Sequence, residues 1–332
     1  LVGAPLVATG YGWTAVSGSL TSVYVAYALG GVGAGVVYTV AVNTAVKWFD
    51  ERRGLATGVV MATYSALSFA IIPVLRGQLS TDFERTLTVM AAGVAGVAVL
   101  GAVVFRDPRT MEADGPEEGE PAESTPAEGG AKSAGPDLTW RETVRTWQFW
   151  LLYAVFVVVN GVGLMLIGKV VAYADQLALS GAAATASASV VAFADALGIA
   201  LIGSLSDRFG RVRTVAASLV LTGVSLAATV PLGTAGAAWA FVALAGAAAF
   251  FRSPPFSVFP SLVGEYYGTG HSSENYALLY TAKIPGSIFG GTVASGLVVT
   301  IGWTESFLVA AAAIALAGGA TTLLRPPETG RA

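Results

Sequence analysis

The sequence has no cysteine and a single histidine, His271. Disulfides, thiolate metal centres, metal sites built on several histidines and Cys–His nucleophile arrangements are therefore ruled out. Charge is also scarce. Asp, Glu, Lys and Arg make up 12% of the chain, against about 25% in soluble domains. Apolar residues fill 54% of it, and its mean hydropathy is +0.68. That balance excludes an ordinary soluble domain and offers no basic surface to nucleic acid. Four lysines stand against fourteen arginines, a bias typical of GC-rich coding sequence.

A membrane-spanning helix needs about 20 mostly apolar residues. Such runs fall at roughly 1–17, 22–46, 54–75, 86–105, 148–170, 182–205, 212–232, 236–262, 275–299 and 303–324. Backbone groups in lipid must be paired within the segment, so each run is read as a helix. The expected fold is an all-α polytopic membrane protein with about ten spans. Thirteen of the loop Lys and Arg residues collect on one side, among them Lys47, Arg52, Arg53, Arg208, Arg211 and Arg213, while Arg76, Arg85 and Lys169 mark the other. The positive-inside rule makes the first side cytoplasmic, together with the C-terminus.

Negative charge is concentrated instead. Residues 112–137 hold eight acids and one base, and the remainder holds 13 acids against 17 bases. Four prolines and no aromatic residue accompany the acids. Such a tract cannot bury enough apolar surface to order itself, so it reads as a solvated linker; an acidic regulatory tail would share this composition. It divides the chain into residues 1–105 with four spans, a cytoplasmic linker 106–147, and residues 148–332 with six spans. Transporters are commonly built from two similar halves. The first half is thus two spans short, and the chain opens on Leu1 inside an apolar run. The expectation is that a helix pair precedes it, giving twelve spans.

Three charges lie deep inside the apolar runs: Asp195, Arg252 and Lys283. A charge at the bilayer centre costs about 2.5–3.5 kcal/mol on insertion scales, so each needs a partner or a function. Their sum is +1, which suits a monoanion better than a dianion. Pro254, Pro255 and Pro285 would bend their spans beside these charges. Glycines line two of the runs, at 30, 31, 33 and 35 and at 286, 290, 291 and 296, as close helix packing requires.

Asp207-Arg208-Phe-Gly210-Arg211, followed by Arg213, resembles the loop signature of the major facilitator superfamily, although a plain basic loop would obey the same charge rule. Lys47-Trp48-Phe49-Asp50-Glu51-Arg52-Arg53-Gly54, the glycines before Tyr38, Trp147-Gln-Phe149-Trp150, Gly163-Leu-Met165, Phe259-Pro260 and above all Asn275-Tyr276-Ala-Leu-Leu-Tyr280-Thr-Ala-Lys283 resemble the oxalate/formate antiporter family within it. The resemblance covers nearly the whole chain and starts at that family's third helix.

The resemblance implies that Lys283 engages a substrate carboxylate and that Tyr38, Tyr64 and Tyr280 wall the site. It also implies an arginine on the eighth helix, and there the chain departs: Ile199 stands at that place, four residues after Asp195. Two arrangements stay open. Either Arg252 replaces the missing arginine while Asp195 tunes it or carries a proton, or Asp195 and Arg252 pair and leave Lys283 alone for substrate. The Asp207–Arg211 segment would hold the helix bundles in one access state.

The reading is a monomeric secondary transporter of small organic anions in the cell membrane, with monocarboxylate preferred. It would use alternating access, with binding at the midplane and an exchanged anion or proton as the second solute. No enzyme activity, cofactor or metal is expected. The alternative is a non-transporting receptor or scaffold with a transporter fold. Replacing residues 112–137 with a Gly/Ser linker of equal length should leave uptake within about twofold, as expected of a flexible connector; vesicle uptake checks this.

Overall fold

A computed structural model describes residues 3–48, 63, 67, 69–75, 77–78, 81–104, 137–268 and 270–327. Every regular element among the described residues is helical. The chain forms two compact units, one from Leu1–Thr63 and Pro73–Ala127, the other from Tyr64–Ile72 and Glu128–Ala332.

The first unit contains α1 (Gly3–Ala15), α2 (Leu20–Trp48) and α3 (Phe83–Val104). Helix α1 packs on α2 through glycines. A Cβ at Gly10 would lie 2.7 Å from Gly30 Cα, and one at Gly33 would lie 2.5 Å from the Gly3 carbonyl oxygen. Added at Gly31 or Gly35, it would meet nothing within 4 Å. Only half of the glycine row on α2 thus serves this contact.

The second unit contains α4 (Trp140–Thr143), α5 (Trp147–Gln176), α6 (Gly181–Phe209), α7 (Arg211–Thr234), α8 (Ala238–Arg252) and α9 (Pro255–Tyr267). It continues with α10 (Ser272–Tyr280), α11 (Lys283–Ile288), a π-helix (Phe289–Val293), α12 (Ala294–Ile301) and α13 (Trp303–Thr321). Its core is a continuous set of aliphatic and aromatic side chains, with Phe149, Phe156, Tyr173, Phe241, Phe259 and Phe307 fully buried. The outer surface is apolar too: Val224, Leu316 and Val299 are exposed, as a lipid-facing surface requires.

Eight helical stretches among the described residues are long and apolar enough to cross a membrane. They match eight of the ten expected spans. Of the other two, α1 is helical over 13 residues, and 54–75 lies largely outside the described residues. The largest difference is at α5, expected to stop near residue 170 but running to Gln176. Lys169 therefore lies within a helix rather than in a loop. Its ammonium donates to Ser295 Oγ at 2.8 Å, which lets the long side chain sit against the bundle.

Two spans are not single helices. In Ala238–Tyr267 the break falls at Ser253, where Pro254 and Pro255 supply no N–H to continue the ladder. In Glu274–Ile301 the helix is interrupted at Thr281–Ala282, because Pro285 has no N–H for the Thr281 carbonyl. Ile284 N–H reaches that carbonyl instead, at 2.9 Å. Further along, the π-helix adds a residue to one turn. Both Gly286 and Gly290 then face α5. A Cβ on the first would sit 2.7 Å from Asn160 Cβ, and on the second 2.6 Å from the Gly161 carbonyl oxygen.

Residues 112–136 of the acidic tract lie outside the described residues, while Asp137 is anchored. Its Oδ1 accepts from Gly270 N–H at 2.8 Å, Leu138 N–H donates to the Tyr267 carbonyl at 2.8 Å, and Asn275 Nδ2 donates to the Leu138 carbonyl at 2.9 Å. Glu142 then accepts from the Thr139 hydroxyl at 2.7 Å and its N–H at 2.9 Å, which holds the carboxyl below the usual carboxylate range. A linker replacement that stops at residue 136 leaves these bonds intact.

The glycine contacts make a paired test. Gly290→Ala should lower the stability of the detergent-solubilised protein by about 1–3 kcal/mol through overpacking against α5. Gly291→Ala, where a Cβ meets nothing within 4 Å, should stay within about 0.5 kcal/mol. Thermal unfolding midpoints of the two variants check the difference.

Candidate functional site: a buried charge cluster beside Lys283

The cluster begins with a close helix approach. A Cβ at Gly198 of α6 would fall 2.1 Å from the Phe250 carbonyl oxygen of α8. This glycine lets the two backbones touch. Three residues earlier stands Asp195, and two residues after Phe250 stands Arg252, so the same approach brings carboxylate and guanidinium together. Arg252 Nη2 donates to Asp195 Oδ1 in an ion pair. The arginine side chain is 5% exposed and the aspartate 16%.

Ser253, at the break between α8 and α9, completes the carboxylate's surroundings. Its Oγ lies 2.6 Å from Asp195 Oδ1 and 2.8 Å from the Ala249 carbonyl oxygen. The guanidinium rests flat on α5 at Gly163, where a Cβ would come within 2.4 Å of Nη1. Nη1 lies 3.5 Å from the Val159 carbonyl, at the limit of hydrogen bonding. Nε is buried without a partner among the described residues.

Lys283 is the first residue of α11, just past the Thr281–Ala282 turn. Its ammonium donates to the Tyr280 hydroxyl and lies 4.2 Å from the centroid of that ring. The Phe256 ring is near both cations, 5.3 Å from Lys283 Nζ and 5.5 Å from the Arg252 guanidinium carbon. Cation–π attraction is worth about 0.5–2 kcal/mol depending on desolvation. Phe156 supports the wall, 5.4 Å from Phe256 and 6.0 Å from Tyr280 between centroids. The ion pairs among the described residues are Asp195–Arg252, Arg211–Glu265 and His271–Glu274, so no carboxylate there reaches Lys283. The result is a half-buried ammonium framed by aromatic faces, an arrangement suited to a small anion.

The structure thus gathers Lys283, Tyr280, Arg252 and Asp195 in one unit. Tyr38 belongs to the other unit, on α2, and Tyr64 lies outside the described residues. The motif expected as a loop is instead two helix ends joined at one residue. Arg208 lies in the last turn of α6, Gly210 has φ +88, and Arg211 opens α7. That positive φ suits glycine and explains the residue. Arg211 pairs with Glu265 of α9, while the side chain of Asp207 lies outside the described residues. Sequence reasoning missed Phe256, Ser253 and the guanidinium-bearing role of Gly163. The spacing Arg252–Phe256 could have indicated the first, had the helical register been carried across the two intervening prolines.

The family model of the Major Facilitator Superfamily matches residues 1–171 and 159–332. The chain belongs to the Major Facilitator Superfamily. It is a multi-pass membrane protein and a transporter. Among curated proteins it is similar to the oxalate:formate antiporter of Oxalobacter formigenes, 28% identical over 98% of this chain and 75% of that protein. It is also similar to the uncharacterized MFS-type transporter YhjX of Escherichia coli K12, 29% identical over 85% of this chain and 67% of that one. An uncharacterized 38 kDa protein in the 23S RNA operon of Thermoproteus tenax is 28% identical over 95% of this chain and 74% of its own length.

Removing one member of a buried pair strands the other, at about 3–5 kcal/mol, whereas an apolar pair of similar volume is often neutral. Asp195→Leu should therefore lower the thermal unfolding midpoint in detergent sharply. Adding Arg252→Met to it should restore most of the loss.

Proposed function

We propose that this transporter carries small organic anions with one carboxylate, held by Lys283, and moves them by alternating access in exchange for another anion or together with a proton. The observation that supports this most directly is Lys283 itself. It is a cation inside an apolar span, oriented by Tyr280 and Phe256, with no acid partner among the described residues. A group this costly in lipid is retained where a ligand neutralises it. The Asp195–Arg252 pair is internally neutral, so the cluster offers one net positive charge. That favours a formate- or lactate-like monoanion. The similarity to an oxalate:formate antiporter supports the substrate class.

The conformational part is assigned to the Asp207–Arg211 segment. Gly210 lets α6 and α7 meet at a corner, and the Arg211–Glu265 pair ties α7 to α9 on the side that the arginine and lysine distribution assigns to the cytoplasm. That pair would have to break wherever α7 and α9 separate.

Reconstitution into proteoliposomes with radiolabelled formate or lactate tests the proposal. A hydrogen bond to a charged group contributes about 1.5–3 kcal/mol, so Lys283→Ala should weaken substrate affinity about 10- to 150-fold. Wild-type uptake kinetics in that variant would remove Lys283 from the site. Failure of the wild-type protein to move any small carboxylate, with binding intact, would favour the receptor reading.

A further inference from the structure

The Asp195–Arg252 pair sets one of the chain's own carboxylates on a guanidinium that is otherwise poorly satisfied. Arg252 is 4% exposed, its Nε has no partner among the described residues, and its Nη1 reaches Val159 only at 3.5 Å. A guanidinium has five donors, so this one has capacity for a further acceptor. It shares the Phe256 ring with Lys283, each within 5.5 Å of its centroid. An anion with a second carboxylate, bound at Lys283 beside Phe256, would bring that carboxylate toward Arg252 and against the charge of Asp195.

Ser253 gives the second observation. Its one hydroxyl proton has two acceptors in reach, Asp195 Oδ1 at 2.6 Å and the Ala249 carbonyl at 2.8 Å. Toward an ionised Asp195 the hydroxyl donates. Toward a protonated Asp195 it can accept the new O–H and turn its own proton to Ala249, so neither state leaves the group unsatisfied.

We propose that Asp195 makes dicarboxylate binding conditional on the uptake of one proton. A monocarboxylate binds the cluster as it stands and brings its charge to zero. A dicarboxylate would leave it at −1, and protonation of Asp195 returns it to zero; a buried net charge is otherwise heavily penalised. Both substrates then carry the same net charge across the membrane. The inference rests on the carboxylate reading of Lys283.

Other titratable groups do not intrude at this level. Helix α8 brings Arg252 alone. On α9 they are Glu265, Tyr266 and Tyr267 at its far end, with Glu265 paired to Arg211. On α5, Tyr153, Lys169, Tyr173 and Asp175 lie outside the Val159–Gly163 stretch that meets Arg252, and on α7 only Arg211 and Arg213 occur, in its first turn. On α6 itself Asp207 and Arg208 lie at its end. Residues 69–72, whose Phe69 meets Phe193 at 5.4 Å, carry none. Tyr280 and Lys283 are the groups that do stand close, with Lys283 Nζ 5.3 Å from the Phe256 centroid.

Calorimetric titration of the purified chain in detergent, with formate and with oxalate as probes in buffers of different ionisation enthalpy, counts the protons taken up. About one proton per oxalate and none per formate are expected, with oxalate affinity falling up to about tenfold per pH unit while formate affinity stays flat. In Asp195→Asn the proton uptake should vanish and oxalate should gain at least about tenfold on formate. Should that variant not fold, the wild-type proton count decides alone. Oxalate binding without proton uptake, or formate binding with no oxalate binding at any pH, overturns the proposal. If wild type binds neither anion, the carboxylate reading of Lys283 falls first and this inference with it.

Discussion

A guanidinium and a carboxylate bound to each other inside an apolar helix bundle constrain everything around them. Neither Arg252 nor Asp195 could stay ionised alone at this depth without heavy penalty. Their union therefore dictates that α6 and α8 touch, which in turn requires Gly198 at the contact and Gly163 beneath the guanidinium. Ser253, at the break that the two prolines cause, adds its hydroxyl to the same carboxylate. Once the pair is neutral, Lys283 is the cluster's excess charge. Structural integrity in this unit and the charge left on Lys283 are thus two results of one electrostatic balance.

Much of the fold could be read from the chain because lipid leaves few choices. Long apolar runs must be helices, and proline marked both interrupted spans in advance. Helix ends were harder. Lys169 looked like a loop residue because it is charged, yet its flexible stem allows the ammonium to reach Ser295 from within α5. The π-helix at Phe289–Val293 had no sequence signal, since the residues FGGTV would fit an α-helix equally well. Tertiary packing of Gly286 and Gly290 on α5 accompanies it.

In the site, the charged members were conspicuous and the neutral ones were not. Asp195, Arg252 and Lys283 stand out because apolar runs contain almost nothing else ionisable. The choice between a clamp and a pair could not be made without distances, and in the structure the two side chains are paired. Phe256 and Ser253 are ordinary residues for a membrane helix, and only their positions beside the charges give them meaning.

The interruption at Thr281–Ala282 separates Tyr280 from Lys283. The tyrosine ends one rigid segment and the lysine begins the next, although only three positions divide them. Their hydroxyl and ammonium meet across a joint rather than along a continuous rod. The segment beyond the joint is fastened to α5 at Gly286 and Gly290. Any swing of α10 therefore opens or shuts the distance between ring and cation, so the spacing of hydroxyl and ammonium and the bend of the span are the same geometric coordinate.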